Sequence, residues 1–121
     1  MSIDLNRMPK LGFGLMRLPE KDGEIDLARV CNMVDEYMNK GFNYFDTAYV
    51  YHGGKSEVAA REAVVKRYPR DSFYLATKLP AWEIKKAEDC DRIFNEQLER
   101  SGVSEAAEKS SKFRVKSFGL A

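Results

Sequence analysis

The sequence predicts an α/β protein built on a parallel sheet, and three observations indicate this fold class. Strand-like runs at residues 11–16, 42–45 and 72–76 are short, aromatic-rich and almost continuously apolar, as strands covered on both faces are. Helical patterns lie between them, so that strand and helix alternate along the chain. The strands also recur at nearly constant intervals, because 31 residues separate Gly12 from Asn43 and 30 separate Asn43 from Phe73.

Three helices are predicted from apolar residues that recur at three- and four-residue steps. The first covers residues 26–40, and Gly41 follows where a helix is expected to end. The second covers residues 56–68, with Ser56 as its N-cap and Pro69 after its end. The third covers residues 85–101 and ends at Gly102. The chain is therefore expected to contain three βα units.

The spacing of the strands also predicts where the pattern changes. A repeat of about 31 residues matches one unit of a (β/α)8 barrel of about 250 residues, although doubly wound sheets have units of similar length. A fourth strand is then expected near residue 103, but residues 104–112 are mostly polar and a strand-like run comes only at residues 113–120. We therefore divide the chain into residues 1–103 and a divergent tail, residues 104–121. The tail is expected to add an edge strand beside the third strand.

Composition excludes several classes of function. The chain has 121 residues, of which 44% are hydrophobic and 32% charged, with 20 basic and 19 acidic residues giving a net charge of +1. This balance does not indicate a nucleic acid or an anionic membrane as a partner. No run approaches the roughly 18 apolar residues of a membrane helix, and no signal peptide is evident, so a cytoplasmic protein is expected. Cys31 and Cys90 are interpreted as reduced thiols on helices, and the single histidine, His52, does not indicate a metal site.

Three motifs follow the predicted strands. Residues 45–57 read Phe-Asp-Thr-Ala-Tyr-Val-Tyr-His-Gly-Gly-Lys-Ser-Glu, residues 12–19 read Gly-Phe-Gly-Leu-Met-Arg-Leu-Pro, and residues 76–78 read Ala-Thr-Lys. In this order and at these strand ends, they closely resemble the aldo-keto reductase superfamily over about residues 10–103. The resemblance implies a partial (β/α)8 TIM barrel, consisting of the first three βα units followed by the divergent tail.

The resemblance also implies an NAD(P)H-dependent oxidoreductase that reduces aldehydes or ketones by hydride transfer. Tyr51 matches the family's general acid, Lys78 the lysine that activates it, and Asp46 the carboxylate that pairs with this lysine. A tyrosine hydroxyl has a pKa of about 10 in water, and a nearby ammonium favours its ionisation. Without the motifs, Asp46 would be interpreted as a turn residue, Tyr51 as a half-buried aromatic residue and Lys78 as a solvated charge.

The cofactor implied by the resemblance is NADPH or NADH. The residues that match the family's nicotinamide and ribose contacts are Gly14, Leu15, Met16, Arg17 and Asp46. Trp82 matches a wall of the substrate pocket, which would hold a small carbonyl compound. The family's catalytic histidine follows its fourth strand, so His52 does not correspond to it, and most of the phosphate-binding residues belong to the second half of the barrel.

Two further interpretations remain open. The chain is either an active reductase or a truncated, inactive relative that self-associates or binds a partner through exposed strand edges. The change of pattern after Val103 is also explained if one βα unit is deleted there, because residues 113–120 resemble the family's fifth strand.

Overall fold

The computed structural model describes residues 10–103 and 113–118, and within them strands alternate with helices. The helices are α1 (Leu27–Asn39), α2 (Lys55–Ala60), which continues as a π-helical turn at Arg61–Val65, and α3 (Ala87–Ser101). The strands are β1 (Gly12–Gly14), β2 (Glu20–Lys21), β3 (Glu24–Ile25), β4 (Tyr44–Asp46), β5 (Tyr74–Pro80) and β6 (Phe113–Phe118). None of the described helices has the length and apolar character of a membrane span.

The main sheet has four parallel strands in the order β1-β4-β5-β6. Phe13 pairs with Phe45, Phe45 with Leu75, and Leu75 with Phe113. Parallel strands joined by helices all point the same way, so β1, β4 and β5 end at one edge, which we call the carboxyl edge. Side chains that follow these strands are thereby brought together.

The core lies between this sheet and the helices. Phe45 and Leu75 from the sheet, Val34 from α1 and Val64 from the turn after α2 are completely or almost completely buried in one cluster. At the opposite edge of the sheet the hydroxyl oxygen of Tyr37 lies 2.5 Å from the carbonyl oxygen of Leu11 and 2.8 Å from that of Tyr44, and its single proton is shared between these two acceptors. α1 therefore fixes β1 beside β4 through both apolar packing and hydrogen bonds.

Most predicted helix ends are confirmed. Asp26 caps α1 and accepts a hydrogen bond from the backbone of Arg29. Gly41 and Gly102 both have positive φ angles, 89° and 71°, which residues with a side chain adopt at a cost. A Cβ atom on Gly102 would also lie 2.7 Å from Cγ of Arg61. The end of α3 therefore requires glycine for two reasons.

Two local predictions were wrong. Ser56 does not cap α2, because α2 begins at Lys55 after Gly54, and the Ser56 hydroxyl is buried against Leu15 and Thr47 instead. The third strand does not stop at Ala76 but continues to Pro80, because β6 supplies a neighbour from Leu75 to Pro80. Pro80 has no backbone N–H to donate, and it is the last residue of the strand.

A short hairpin after β1 was not predicted. β2 and β3 pair antiparallel around Asp22 and Gly23, which both have positive φ angles. Asp-Gly is a preferred dipeptide for such a two-residue turn, and the signal was present in the sequence. The strands themselves have two residues each, too few to show an alternating pattern.

The tail contributes β6, which lies parallel to β5 on the edge where the sequence predicts an additional strand. Its six residues pair with all six residues from Leu75 to Pro80. The remainder of the tail lies outside the described residues. Cys31, in α1, and Cys90, in α3, are both free thiols.

Deleting residues 104–121 should lower the melting temperature by about 5 °C or more, because a loss of 1 kcal/mol shifts the midpoint of a domain of this size by roughly 4–8 °C. The physical reason is that the deletion exposes the edge of β5 to water. Circular dichroism melts of the full chain and of the deletion variant measure the difference. A deletion of residues 119–121 is the control, and equal melting temperatures for all three proteins would show that β6 adds no stability.

Candidate active site

The carboxyl edge brings together the ends of β1, β4 and β5. Gly14 pairs with Asp46, and Asp46 pairs with Ala76, so these three residues lie level across the sheet. Lys78 lies two residues further along β5, and since side chains alternate along a strand it projects from the same face as Ala76. The register alone therefore places the Lys78 side chain beside Asp46.

Lys78 and Asp46 form a close ion pair. Nζ of Lys78 lies 2.6 Å from Oδ1 of Asp46 and donates a second hydrogen bond to the carbonyl of Thr47 at 3.1 Å. The two side chains are 15% and 32% exposed, respectively. A pair with this little exposure is more strongly coupled than a surface pair, because little water screens it.

The environment keeps Lys78 protonated. Burial by itself lowers the pKa of the ammonium, but hydrogen bonds to Asp46 and Tyr51 outweigh that effect, so the pKa of Lys78 is raised above its usual value. A charged hydrogen-bond donor is therefore held at the carboxyl edge throughout the physiological pH range.

Tyr51 lies directly above this ammonium. It begins the tight turn Tyr51–Gly54 that follows β4, and Nζ of Lys78 lies 4.9 Å from the centroid of its ring. The ring is half-buried. The structure thus brings together all three residues that the sequence predicts to be catalytic.

Hydrogen bonds fix the segment between β4 and α2 to the neighbouring strands. The amide of Tyr49 donates to the carbonyl of Lys78 at 3.3 Å. The hydroxyl groups of Thr47 and Ser56 lie 2.6 Å apart, and Ser56 donates to the carbonyl of Leu15 at 2.8 Å. The segment that carries Tyr51 is therefore attached to both β5 and the end of β1.

His52 fastens the β2–β3 hairpin to the same turn. Its Nε2 accepts a hydrogen bond from the amide of Leu18 at 3.0 Å, and its Nδ1 lies 3.1 Å from Oε1 of Glu20. Since Nε2 is an acceptor, the neutral ring carries its proton on Nδ1 and donates it to Glu20. Within the described residues no group of three or more potential ligands could hold a metal ion, and His52 has a structural role.

The predicted cofactor segment, residues 14–17, divides into exposed and buried parts. Gly14, Met16 and Arg17 are exposed, and a Cβ atom built on Gly14 would meet no atom within 4 Å. Leu15 is completely buried in the core. Trp82, in the turn after β5, is 50% exposed. Open surface therefore lies at the carboxyl end of β1.

The sequence did not predict a buried polar network behind this site. Glu57 is 0% exposed, and the hydroxyl of Thr77 donates to its Oε2 at 2.7 Å. Gln97 of α3 donates from Nε2 to the Thr77 hydroxyl at 3.3 Å and to the carbonyl of Lys78 at 2.8 Å. Nη1 of Arg100, also in α3, lies 3.6 Å from Oε1 of Glu57. We call these four residues the α3 network.

Arg100 also contacts the segment that carries Tyr51. Its guanidinium carbon lies 4.2 Å from the centroid of the Tyr49 ring, and Nη1 donates to the carbonyl of Tyr49 at 3.2 Å. Gly54 closes the turn at a φ of 94°, and a Cβ atom there would lie 3.1 Å from Nη1 of Arg100. Gly53 and Gly54 both have positive φ angles, and Arg100 packs closely against the turn that they form.

Comparison with known proteins establishes the family. The model of the aldo/keto reductase family matches residues 10–107, and the chain belongs to this family. The resemblance inferred from the three motifs is thereby confirmed.

Individual relatives match different shares of the chain. Norsolorinic acid reductase of Aspergillus flavus is 41% identical over 56 residues, which are 46% of this chain and 14% of that protein. The aldo-keto reductase of Klebsiella pneumoniae, solved in complex with NADPH, aligns with a TM-score of 0.71 and 20% identity over 93% of this chain and 46% of its own. An aldo-keto reductase of Bacillus halodurans aligns with a TM-score of 0.62 and 19% identity over 90% of this chain and 46% of its own.

These similarities confirm the predicted fold class, an α/β chain that forms part of a TIM barrel. The described strands form an open sheet rather than a closed barrel. The match covers 14% of the length of the Aspergillus flavus relative and less than half of each of the two solved structures.

The buried carboxyl of Glu57 predicts a pH-dependent stability. Burial raises its pKa to about 7, against the lowering effects of Thr77 and Arg100. Between pH 4.5 and 7 the folded chain therefore holds a proton that the unfolded chain has released, so the free energy of unfolding should fall as pH rises, by about 3 kcal/mol in all. Glu57→Gln carries no such proton and should lack this fall.

Urea titrations of both proteins between pH 4.5 and 8 measure this difference. Glu99→Gln, at an exposed position of α3, is the matched control and should follow the unmodified protein. Parallel pH profiles for the unmodified protein and Glu57→Gln would refute a strongly raised pKa for Glu57.

Proposed function

We propose that this chain supplies the proton-donating part of an NAD(P)H-dependent carbonyl reductase. The observation that carries the proposal is the position of Lys78, whose ammonium group lies between the Asp46 carboxylate and the Tyr51 ring. Three side chains from two strand ends converge there, at the face on which barrel enzymes build their active sites. The substrate class is a small aldehyde or ketone.

Each side chain has a distinct role in the proposed reaction. Tyr51 donates its hydroxyl proton to the carbonyl oxygen of the substrate as a hydride adds to the carbonyl carbon, and the product is an alcohol. The ammonium of Lys78 stabilises the phenolate that Tyr51 becomes, because an adjacent positive charge favours the ionised form. Asp46 holds Lys78 in place and keeps it protonated.

A nicotinamide cofactor, NADPH or NADH, would supply the hydride when bound. Gly14, Met16, Arg17 and Asp46 would hold its nicotinamide end, and the open surface at Gly14 and the exposed side chains beside it fit this role. Leu15 would contribute through its backbone because its side chain is in the core. The complex of the Klebsiella pneumoniae relative with NADPH supports the choice of cofactor class.

The same geometry predicts weak activity for this chain by itself. His52 is occupied by Leu18 and Glu20, so the described residues offer no histidine to orient the carbonyl group of the substrate. Removal of one oriented donor from an active site typically costs about 10²-fold or more in rate. We therefore expect slow turnover even where the three catalytic side chains are well placed.

A second candidate function is non-catalytic association. Within the described residues β1 pairs on one side only, with β4. Leu11 and Met16 next to it are 53% and 54% exposed. An unpaired edge beside exposed apolar side chains favours association with another chain, and size-exclusion chromatography at several concentrations would detect self-association.

Tyr51→Phe should abolish the proposed reduction, because phenylalanine fills the same space without a proton to donate. The measurement is consumption of NADPH, followed at 340 nm, with a panel of small aldehydes and purified full-length chain. Tyr74→Phe is the matched control, since Tyr74 lies at the opposite end of β5. NADPH consumption that is equal in the unmodified protein and in Tyr51→Phe would contradict the proposed role of Tyr51.

A further inference from the structure

Gln97 is buried in a place where an apolar residue would be expected. It lies in the middle of α3 and is 0% exposed. Buried polar side chains cost free energy unless they form hydrogen bonds, and Gln97 forms two through Nε2 while its Oε1 has no partner among the described residues. A buried amide with an unsatisfied oxygen adds little to the stability of the fold. We therefore look for the role of Gln97 in the two groups that its Nε2 contacts.

One of those contacts is the backbone of a predicted catalytic residue. The carbonyl of Lys78 accepts hydrogen bonds from Nε2 of Gln97 at 2.8 Å and from the amide of Tyr49 at 3.3 Å. Tyr49 lies two residues before Tyr51. A single carbonyl group therefore links α3, the strand that carries Lys78 and the segment that carries Tyr51.

The second contact leads to the same segment by another route. The Thr77 hydroxyl accepts from Gln97 and donates to Glu57, which lies in α2 directly after the turn of Tyr51. Glu57 faces Arg100, and Arg100 donates to the carbonyl of Tyr49. The α3 network thus connects two residues of α3, Gln97 and Arg100, to the backbone of β5 and to the Tyr51 segment.

We propose that Gln97 and Arg100 are positioning residues that set the distance between the Tyr51 hydroxyl and the Lys78 ammonium. Neither residue contacts the reacting atoms. They act through the Lys78 carbonyl and the Tyr49 carbonyl, which fix the backbone on both sides of the pair. This inference rests on the proposed function for its catalytic consequence, but the positions of the two side chains are measurable without turnover.

Gln97→Leu tests the proposal because leucine keeps most of the volume and removes both hydrogen bonds. Loss of the partnerless Oε1 offsets part of the lost hydrogen bonding, so the variant should remain folded. We expect kcat with an aldehyde substrate to fall at least about tenfold, since a 1 Å misplacement of a reacting group costs roughly 10²-fold in rate. KM should change less than about twofold. Asn95→Leu, at an exposed position of the same helix, is the matched control and should leave both constants unchanged.

A structural measurement separates this proposal from the proposed function. In the unmodified chain, nuclear Overhauser effects between the Tyr51 ring and the ε-methylene of Lys78 should be observed, should weaken or vanish in Gln97→Leu, and should persist in Asn95→Leu. If the unmodified chain shows no turnover, the proposed function fails and these signals alone decide the role of Gln97. Signals that persist unchanged in folded Gln97→Leu overturn the proposal, whatever the activity.

Arg100→Lys provides an independent test where Gln97→Leu does not fold. In the unmodified chain, one guanidinium nitrogen of Arg100 contacts Glu57 and the Tyr49 carbonyl, and the other contacts Glu96. Lysine keeps the positive charge beside Glu57, but it lacks the planar group that makes these contacts together. Weakened signals between Tyr51 and Lys78 in this variant support positioning by α3. Signals equal to those of the unmodified chain overturn it.

Discussion

Lys78 must keep a positive charge while most of its side chain is out of water, and the carboxyl edge of the sheet is arranged around that requirement. The ammonium is stabilised by the Asp46 carboxylate, the Thr47 carbonyl and Tyr51. Removal of one partner from a poorly solvated ion pair leaves the other charge uncompensated, so the parallel register of β4 and β5 cannot slip without loss of the pair. The geometry of this ion pair and the pairing of the two strands are thus one constraint rather than two.

Helices α1 and α3 hold the backbone of the strands whose ends form the site. α1 fixes β1 beside β4 through Tyr37, and α3 holds the backbone of β5 through Gln97. The Tyr51 segment is bound to β5 through the Tyr49 amide, and it is also held by side chains from α2 and α3. The Tyr51 segment at the carboxyl edge is therefore fixed by the strands and helices directly beside it.

The sequence predicts well what depends on local pattern and strand order. Three strands, three helices and the positions of Asp46, Tyr51 and Lys78 all follow from apolar periodicity and from motifs at strand ends. The α3 network could not be predicted in this way, because Gln97 and Arg100 on an amphipathic helix resemble solvated residues, and their partners lie 19 to 51 residues away. Ser56 was misinterpreted for a related reason: a serine before a helix is a good N-cap, but here a tertiary hydrogen bond to Leu15 takes its hydroxyl.

Gly54 has a consequence for how this site would be recognised in a mutational scan. Its left-handed backbone and its contact with Arg100 disfavour residues that carry a Cβ atom. In a selection for the proposed activity, substitutions at Gly54 would be depleted together with those at Tyr51, although Gly54 supplies no side chain to the proposed reaction. A parallel selection for folded abundance would separate them, since Tyr51→Phe keeps the fold and a side chain at position 54 disrupts the turn.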